Sequence, residues 1–269
     1  MNDTAPAHTT LGLRPLTARS IVLSTLLGHH PPRLPARVLV RVGELFGVAE
    51  GTVRVALSRM VAAGDLDQDG QGYGLTARLL RRQARQDDSR APRLRTWDGD
   101  WEIAVVTADR RPAAERAALR RTMARLRLGE LREGTWVRPA NLDRALDADV
   151  LGPCTVFTGA APAGEDPVAL AARLWDLPGW ARRAGELAAA LDRAEDLADR
   201  FTVSAAALRH LLADPVLPAA LLPGDWPGAG LRLRYDTFEG ELCEVLRRHV
   251  TSAADTRGMS AAPRVVPRA

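Results

Sequence analysis

The stretch Arg37-Val-Leu-Val-Arg-Val-Gly-Glu-Leu-Phe-Gly-Val-Ala-Glu-Gly-Thr-Val-Arg-Val-Ala-Leu-Ser-Arg-Met-Val-Ala-Ala-Gly64, continued to Thr76, decides the fold. It reads as a helix, a tight turn, a second helix and a hairpin. In the turn Phe46-Gly47-Val48-Ala49, Gly47 stands where a helix end favours a left-handed residue. The second helix, over 50–63, places Val53, Leu57, Met60, Val61 and Gly64 on one face. Gly51, Val55, Ser58 and Ala62 fall on the opposite face, flanked by Arg54 and Arg59. A helix that enters the DNA major groove needs this form, because small side chains admit close approach and arginines reach guanine edges or phosphates. Beyond Gly64, Asp65-Leu66 and the glycine-rich run Gly70 to Leu75 read as two short strands around a turn. Helix-turn-helix plus hairpin predicts a winged helix. The competing reading is a plain helical hairpin that packs a core and touches no DNA.

Charge placement bears on that choice. Every basic residue is Arg, which GC-rich coding also produces, so abundance alone says nothing about nucleic acid. Its distribution says more. Residues 1–95 hold 14 Arg against 8 Asp plus Glu, a net of +6, while the remainder holds 23 against 25, a net of −2. A positive N-terminal module beside a near-neutral remainder fits phosphate binding.

The chain's 269 residues suit two or three domains. A hydrophobic share of 46% excludes global disorder. No apolar run approaches membrane-spanning length and residues 1–15 lack a signal-peptide pattern, so a cytoplasmic protein with no membrane partner is expected. Cys154 and Cys243 are the only cysteines, which argues against a disulfide framework or a cysteine zinc site.

Taken in order, 1–15 is expected as a flexible arm, 16–86 as the winged helix-turn-helix and 87–96 as a charged linker. Within the second of these, a basic helix over 76–86 carries Arg78, Arg81, Arg82 and Arg85. From Trp97 the period changes. Strand Trp101–Thr107, helix Ala113–Leu128 capped by Gly129, two extended pieces over 130–138, a short helix from Asn141 and strand Cys154–Thr158 follow one another. That order is a ferredoxin-like βαββαβ unit, placed at 97–160. Residues 161–250 read as helical: Asp166–Asp176, an interruption at Leu177-Pro178-Gly179, a long helix Trp180–Phe201, then Thr202–Ala213 and Gly228–Val250. The tail 251–269 is small and polar, and expected to be disordered. The fold class is therefore α+β.

For DNA contact the residues are Arg37 and Arg41 on the first helix of the pair, and Thr52, Arg54, Val55, Ser58 and Arg59 on the second. Arg54 or Arg59 could instead pair with Glu44 or Glu50. Thr52 and Ser58 suit phosphate or base edges, and Val55 a thymine methyl. No catalytic or metal set is evident. His29 and His30 are adjacent, so their rings diverge and lack a third ligand. Ser24 and Ser58 have no identifiable His/Asp partners, and no phosphate-loop spacing occurs. Trp175, Trp180 and Trp226 read mainly as core.

Several stretches resemble the PaaX-type transcriptional repressors. They are Thr17-Ala-Arg-Ser20, Val53-Arg-Val-Ala-Leu-Ser-Arg-Met-Val61, Trp97-Asp-Gly-Asp-Trp101, Gly134-Thr-Trp-Val-Arg-Pro139, Leu174-Trp-Asp-Leu177, and Asp214-Pro-Val-Leu-Pro218 with Leu221-Leu-Pro-Gly-Asp-Trp-Pro-Gly228. The match runs over about 15–250 in the right order. It implies a winged-helix domain, a Cas2-like ferredoxin domain and a C-terminal helical domain. It also implies a homodimer on a palindromic double-stranded operator, released by a small-molecule effector, an acyl-CoA or aryl-CoA thioester, with no cofactor. One departure concerns the wing. Similar proteins tend to carry a longer, Arg-rich wing, whereas here Asp65 to Gly74 has three acids and no base. Gln71 and Tyr73 are the wing's remaining DNA candidates, with Arg78 just beyond. Cationic groups for a CoA thioester are available in Arg116, Arg120, Arg121, Arg138, Arg173, Arg182 and Arg183. A metal-dependent nuclease is the alternative, since Cas2-like folds can carry a metal-binding Asp after the first strand. Here Asp109 precedes Arg110-Arg111 and has no acidic cluster beside it. A winged helix used only for protein contacts is the other.

Overall fold

A computed structural model describes residues 6–14, 16–107, 112–144, 154–160 and 164–259. The chain divides into two compact units, one of Met1–Arg85, Ala190–Ala206 and Leu233–Ala269, the other of Gln86–Ala189 and Ala207–Arg232.

The first unit begins inside the expected arm with one helical turn, α1 (Ala7–Thr10). The main-chain N–H groups of Ala7 and His8 donate to the Asp199 carboxylate at 2.8 and 2.7 Å. Helix α2 (Ala18–Gly28) opens on a capping box between Thr17 and Ser20. The proline-rich connection, expected only as a link, contains a two-residue strand β1 (Arg33–Leu34). Then come α3 (Ala36–Leu45), α4 (Glu50–Ala62), β2 (Leu66–Asp69) and β3 (Gly72–Leu75). The strands form an antiparallel sheet in the order β1-β3-β2. Val22, Leu26, Leu39, Val53, Leu57, Met60, Leu66 and Leu75 share one core, so α2, α3, α4 and the hairpin fold around common apolar stripes. This is a winged helix. The basic helix α5 (Ala77–Arg90) runs into the stretch expected as linker. Gln83 on it donates to the carbonyls of Leu27 and His29 at 2.9 and 3.0 Å, satisfying the end of α2.

The second unit carries β4 (Asp100–Val106), α6 (Ala113–Arg125), β5 (Gly129–Arg132), β6 (Thr135–Pro139) and β7 (Cys154–Ala160). All neighbouring strands are antiparallel in the order β5-β6-β4-β7, the ferredoxin-like arrangement. Period-2 alternation splits the side chains between two cores. Trp101 and Val137 pack with Leu170, Leu177, Leu217 and Leu221, whereas Ala104 and Trp136 pack with Leu119, Met123 and Cys154.

Several local readings are corrected. Gly129 does not cap α6; Arg127 takes the left-handed turn, with φ 61°. Its Nε donates to the Asp214 carbonyl at 2.9 Å, which holds it there. Gly129 instead gives room, because a Cβ would lie 2.9 Å from Leu174 Cβ. Residues 141–144 are not helical: Leu142 bridges to Leu94, and the Arg95 N–H donates to the Asn141 carbonyl. The rest of that expected helix lies outside the described residues.

Leu177-Pro-Gly does not interrupt a helix but opens one, α8 (Leu177–Arg193), after α7 (Pro167–Leu174). Pro178 fits a first turn, and Asp176 accepts the Gly179 N–H at 2.9 Å. The long helix expected to Phe201 stops at Arg193, and α9 (Leu197–Leu211) restarts where Asp196 accepts the Asp199 N–H at 2.8 Å. After a 3₁₀ turn at Ala219–Leu221, α10 (Gly228–Met259) passes beyond Val250 into the stretch expected as tail. The helical region expected over 161–250 thus contributes to both units.

Candidate nucleic-acid interface

Two glycines set the α3–α4 pair. Gly47 adopts φ 69° and turns the chain. Gly43 lets the helices approach, since a Cβ there would meet Val53 Cγ2 at 2.5 Å. With α4 seated this way, Val53, Leu57 and Met60 are buried while Gly51, Thr52, Arg54, Val55, Ser58, Arg59 and Ala62 are exposed. The outward face is therefore the small, arginine-edged one that the periodicity defines. Val55 is 51% exposed, an apolar side chain with no role in the core.

The arginines differ in their engagements. Arg54 Nε donates to Glu50 at 2.7 Å, one helical turn back. Both partners are more than half exposed, so the pair is weak and can be exchanged for phosphate. Arg41 donates to Glu44 at 2.9 Å, and its Nε is buried with no partner among the described residues. His249 on α10 lies 4.0 Å from the same Glu44. Arg37 is exposed on α3, and Arg59 has no ionic or side-chain hydrogen-bond partner among the described residues.

The wing looks acidic in sequence, but its charges are met from within the fold. Arg33, on β1, spans Asp67 and Asp69 and donates to the Gly72 carbonyl at 3.2 Å. Its guanidinium lies over Gly74, where a Cβ would come within 2.5 Å of Nη2. Asp65, buried at the start of the hairpin, takes both Arg19 and Arg78. Arg78, a DNA candidate in sequence, is thus engaged at the base of the wing. Gln71 is exposed at the wing tip, while Tyr73 is half-buried against the core. Sequence reading missed Arg33 and Arg19. Arg33 directly follows the Pro31-Pro32 step and faces a Gly-x-Gly strand, a faint signal that a long side chain crosses there.

Of the cationic groups available for an effector, Arg120 pairs with Glu130, Arg173 with Glu165 and Arg183 with Glu186. Arg138 is the buried one. Trp180 stacks between Trp226 and His210, each centroid 4.5 Å away, and is core. Burial lowers the His210 pKa. Among the described residues, no group of three or more His, Cys, Asp and Glu side chains is placed to hold a metal ion. Asp109 lies outside the described residues. No described helix is long and apolar enough to cross a membrane.

Comparison with known proteins follows the same division. Residues 17–79 match the PaaX-like protein family, residues 94–166 the PaaX protein central Cas2-like domain, and residues 179–256 the PaaX-like protein C-terminal domain. The chain is 38% identical over 104 residues to the HTH-type transcriptional regulator Mce2R of Mycobacterium tuberculosis, and equally to an uncharacterized HTH-type transcriptional regulator, Mb0601, of Mycobacterium bovis. That alignment covers 36% of this chain and 42% of either relative, so the chain matches less than half the length of these curated proteins. A solved structure, the uncharacterized protein Rv0674 from Mycobacterium tuberculosis, is 48% identical. It superposes with a TM-score of 0.74, over 87% of this chain and 98% of that one. With these matches in register from the winged helix to the last helix, the chain belongs to the PaaX-like family.

Proposed function

We propose that the protein is a sequence-specific DNA-binding transcriptional regulator, a repressor and not an enzyme, acting in the cytoplasm. One observation carries this reading. The solvent face of α4 is made of Gly51, Thr52, Val55, Ser58 and Ala62 between Arg54 and Arg59, while the opposite face is fully used in the core. A helix kept only for packing gains nothing from a small outward face with cationic edges; a helix entering the major groove needs one. Arg54 and Arg59 reach base edges or phosphates, Thr52 and Ser58 add hydrogen bonds, and Val55 meets a thymine methyl. Arg37 and Arg41 lie along the backbone from α3. The names of the curated relatives, both HTH-type transcriptional regulators, agree with this reading.

The operator is palindromic and the protein binds it as a homodimer, since one recognition helix reads only a few base pairs and two half-sites one turn apart (about 34–36 Å) give the remaining specificity. The effector is an acyl-CoA or aryl-CoA thioester held by the residues beyond the winged helix. It releases DNA through a coupling of about 1–3 kcal/mol. Gel shift with the DNA upstream of the protein's own gene tests the core of the proposal. A saturable shift that survives competitor DNA at moderate salt, with two protomers per site, is the expected result. A shift abolished equally by any competitor would overturn it.

A further inference from the structure

The second unit holds another concentration of positive charge, and this one is enclosed. Arg138 on β6 stands opposite Glu102 on β4 in the sheet register. Its side chain is 0% exposed. Nε donates to the Pro139 carbonyl at 3.0 Å, and Nη2 to Asn141 Oδ1 at 2.8 Å and the Val216 carbonyl at 3.3 Å. Nη1 is buried and has no partner among the described residues. The Glu102 carboxylate lies 3.9 Å from Arg138 Nε and is shared with Arg144, whose Nη2 is 3.2 Å away. Arg144 Nε is likewise buried, with no partner among the described residues.

Two further arginines stand in the same neighbourhood. Arg127 donates to the Asp214 main chain, whereas the Asp214 carboxylate is taken by Arg232 at 2.7 Å and by the Val216 N–H at 2.8 Å. Four guanidinium groups, Arg127, Arg138, Arg144 and Arg232, therefore face three carboxylates, Glu102, Asp214 and Asp88, an excess of one positive charge. Burial, and then the charges of Arg144 and Arg127, lower the Arg138 pKa to about 9; Glu102 opposes them only in part.

Tying β6 to the 214–217 segment does not need a cation. A neutral amide reaching the Val216 carbonyl would make that tie without the desolvation of a charge. What the cluster adds over such a tie is an excess of positive charge and two buried N–H donors, on neighbouring guanidiniums, with no acceptor among the described residues. Most buried polar atoms are paired, and although Arg41 Nε and Trp101 Nε1 are further exceptions, this pair is set apart by lying on two guanidiniums that share one carboxylate. Guanidinium forks match planar or tetrahedral oxyanions, which accept several hydrogen bonds at once.

We infer that this cluster binds the oxyanionic group of a small ligand, a carboxylate or a phosphate, through the open donors of Arg138 and Arg144. Arg144, 18% exposed, is the member that reaches solvent. Glu102 holds the two arginines in the free protein and competes with the ligand for them. The inference deepens the effector reading by naming where the ligand's charge is anchored, and rests on that reading for its regulatory meaning alone.

The test uses the intact protein without DNA, so its outcome is independent of operator binding. Inorganic phosphate and butyrate are titrated calorimetrically, each at constant ionic strength, into wild type, Glu102→Gln and Arg144→Gln. Circular dichroism checks that both variants are folded. Saturable binding of either probe is expected. Phosphate alone would point to a phosphorylated ligand, and butyrate alone to a carboxylic acid. Removing the competing carboxylate in Glu102→Gln should tighten binding about tenfold, an increase that no loss of fold can mimic. Arg144→Gln should weaken it about tenfold. No saturation by either probe at tens of millimolar in wild type and in Glu102→Gln would overturn the site, leaving the cluster a structural clasp. Equal affinities in all three proteins would overturn it too, by placing the anion elsewhere.

Discussion

Arg59 and Arg138 are the same side chain in opposite surroundings. Arg59 projects into water from α4 and has no ionic partner among the described residues; Arg138 is enclosed, and three of its contacts are to neutral oxygens. On the proposed function, the first guanidinium keeps its hydration until a phosphate or base replaces it, so its contribution to stability should be small and its contribution to binding large. The second has already lost its water, so removing it disturbs the fold itself. Arginine content therefore does not mark a DNA-binding surface in this chain. What marks it is which guanidiniums remain free to change partner.

The largest effect is expected where the cation is buried. Arg138→Ala leaves Asn141 Oδ1 without its donor, the Val216 carbonyl with Asn141 Nδ2 alone and Glu102 with Arg144 alone, and should lower stability by about 3 kcal/mol in chemical denaturation. A midpoint equal to wild type would mean that the enclosed and the exposed arginine are energetically alike. Arg59→Ala should do the reverse. Its denaturation midpoint should stay within error, while operator affinity falls by about 1–3 kcal/mol, at one base position if the contact is to a base and across all sequences if it is to phosphate. Arg54 must first leave Glu50, so Glu50→Gln should strengthen operator binding at low salt by up to about 1 kcal/mol. Unchanged affinity in filter binding would place Arg54 outside the interface.

The smallest effect concerns a buried charge that is fully met. Asp199 is enclosed, which by itself raises a carboxyl pKa, but the His8 and Ala7 N–H groups and the His8 ring outweigh burial and hold it below the ordinary value. A depressed carboxyl contributes stability above its unfolded pKa and loses it as pH falls through the folded one. The stability advantage of wild type over Asp199→Asn should therefore shrink as pH falls below about 4. An advantage undiminished below that pH would contradict this assignment.

The faces of α4 were legible in sequence because they depend on a local period. Burial of every third or fourth residue needs only the helix and a core beneath it, and Val53, Leu57 and Met60 supply both. The ferredoxin-like class of the central sheet was legible from the succession of its elements along the chain, which is read segment by segment. The buried cluster was not. Arg138 meets Glu102, Asn141 and Val216, and the last is brought in by a segment 78 positions away. In sequence Arg138 looks no different from Arg120, which only pairs with Glu130 near the surface. The break between α8 and α9 was missed because the apolar stripe runs through it; the signal against it was a single capping side chain, Asp196. The wing was misjudged for a third reason. Its neutralising partner, Arg33, lies 34 positions before Asp67 on a strand too short to show a pattern.

That arrangement at the wing has a consequence for how the protein responds to ions. Each phosphate neutralised by a protein cation frees condensed counterions, and the affinity falls with salt by a slope of about −0.9 per phosphate. Arg33 is already spanned by Asp67 and Asp69, and Arg19 and Arg78 by Asp65, so none of them enters that count. The ion release on binding should come chiefly from α3 and α4, from Arg37 and Arg59 and from Arg41 and Arg54, whose glutamate partners face solvent and give way to phosphate more easily than buried Asp65. If α4 is the reading helix as proposed, the regulator should bind with a shallow salt dependence for its arginine content, and draw more of its discrimination from the small face of α4 than from long-range attraction.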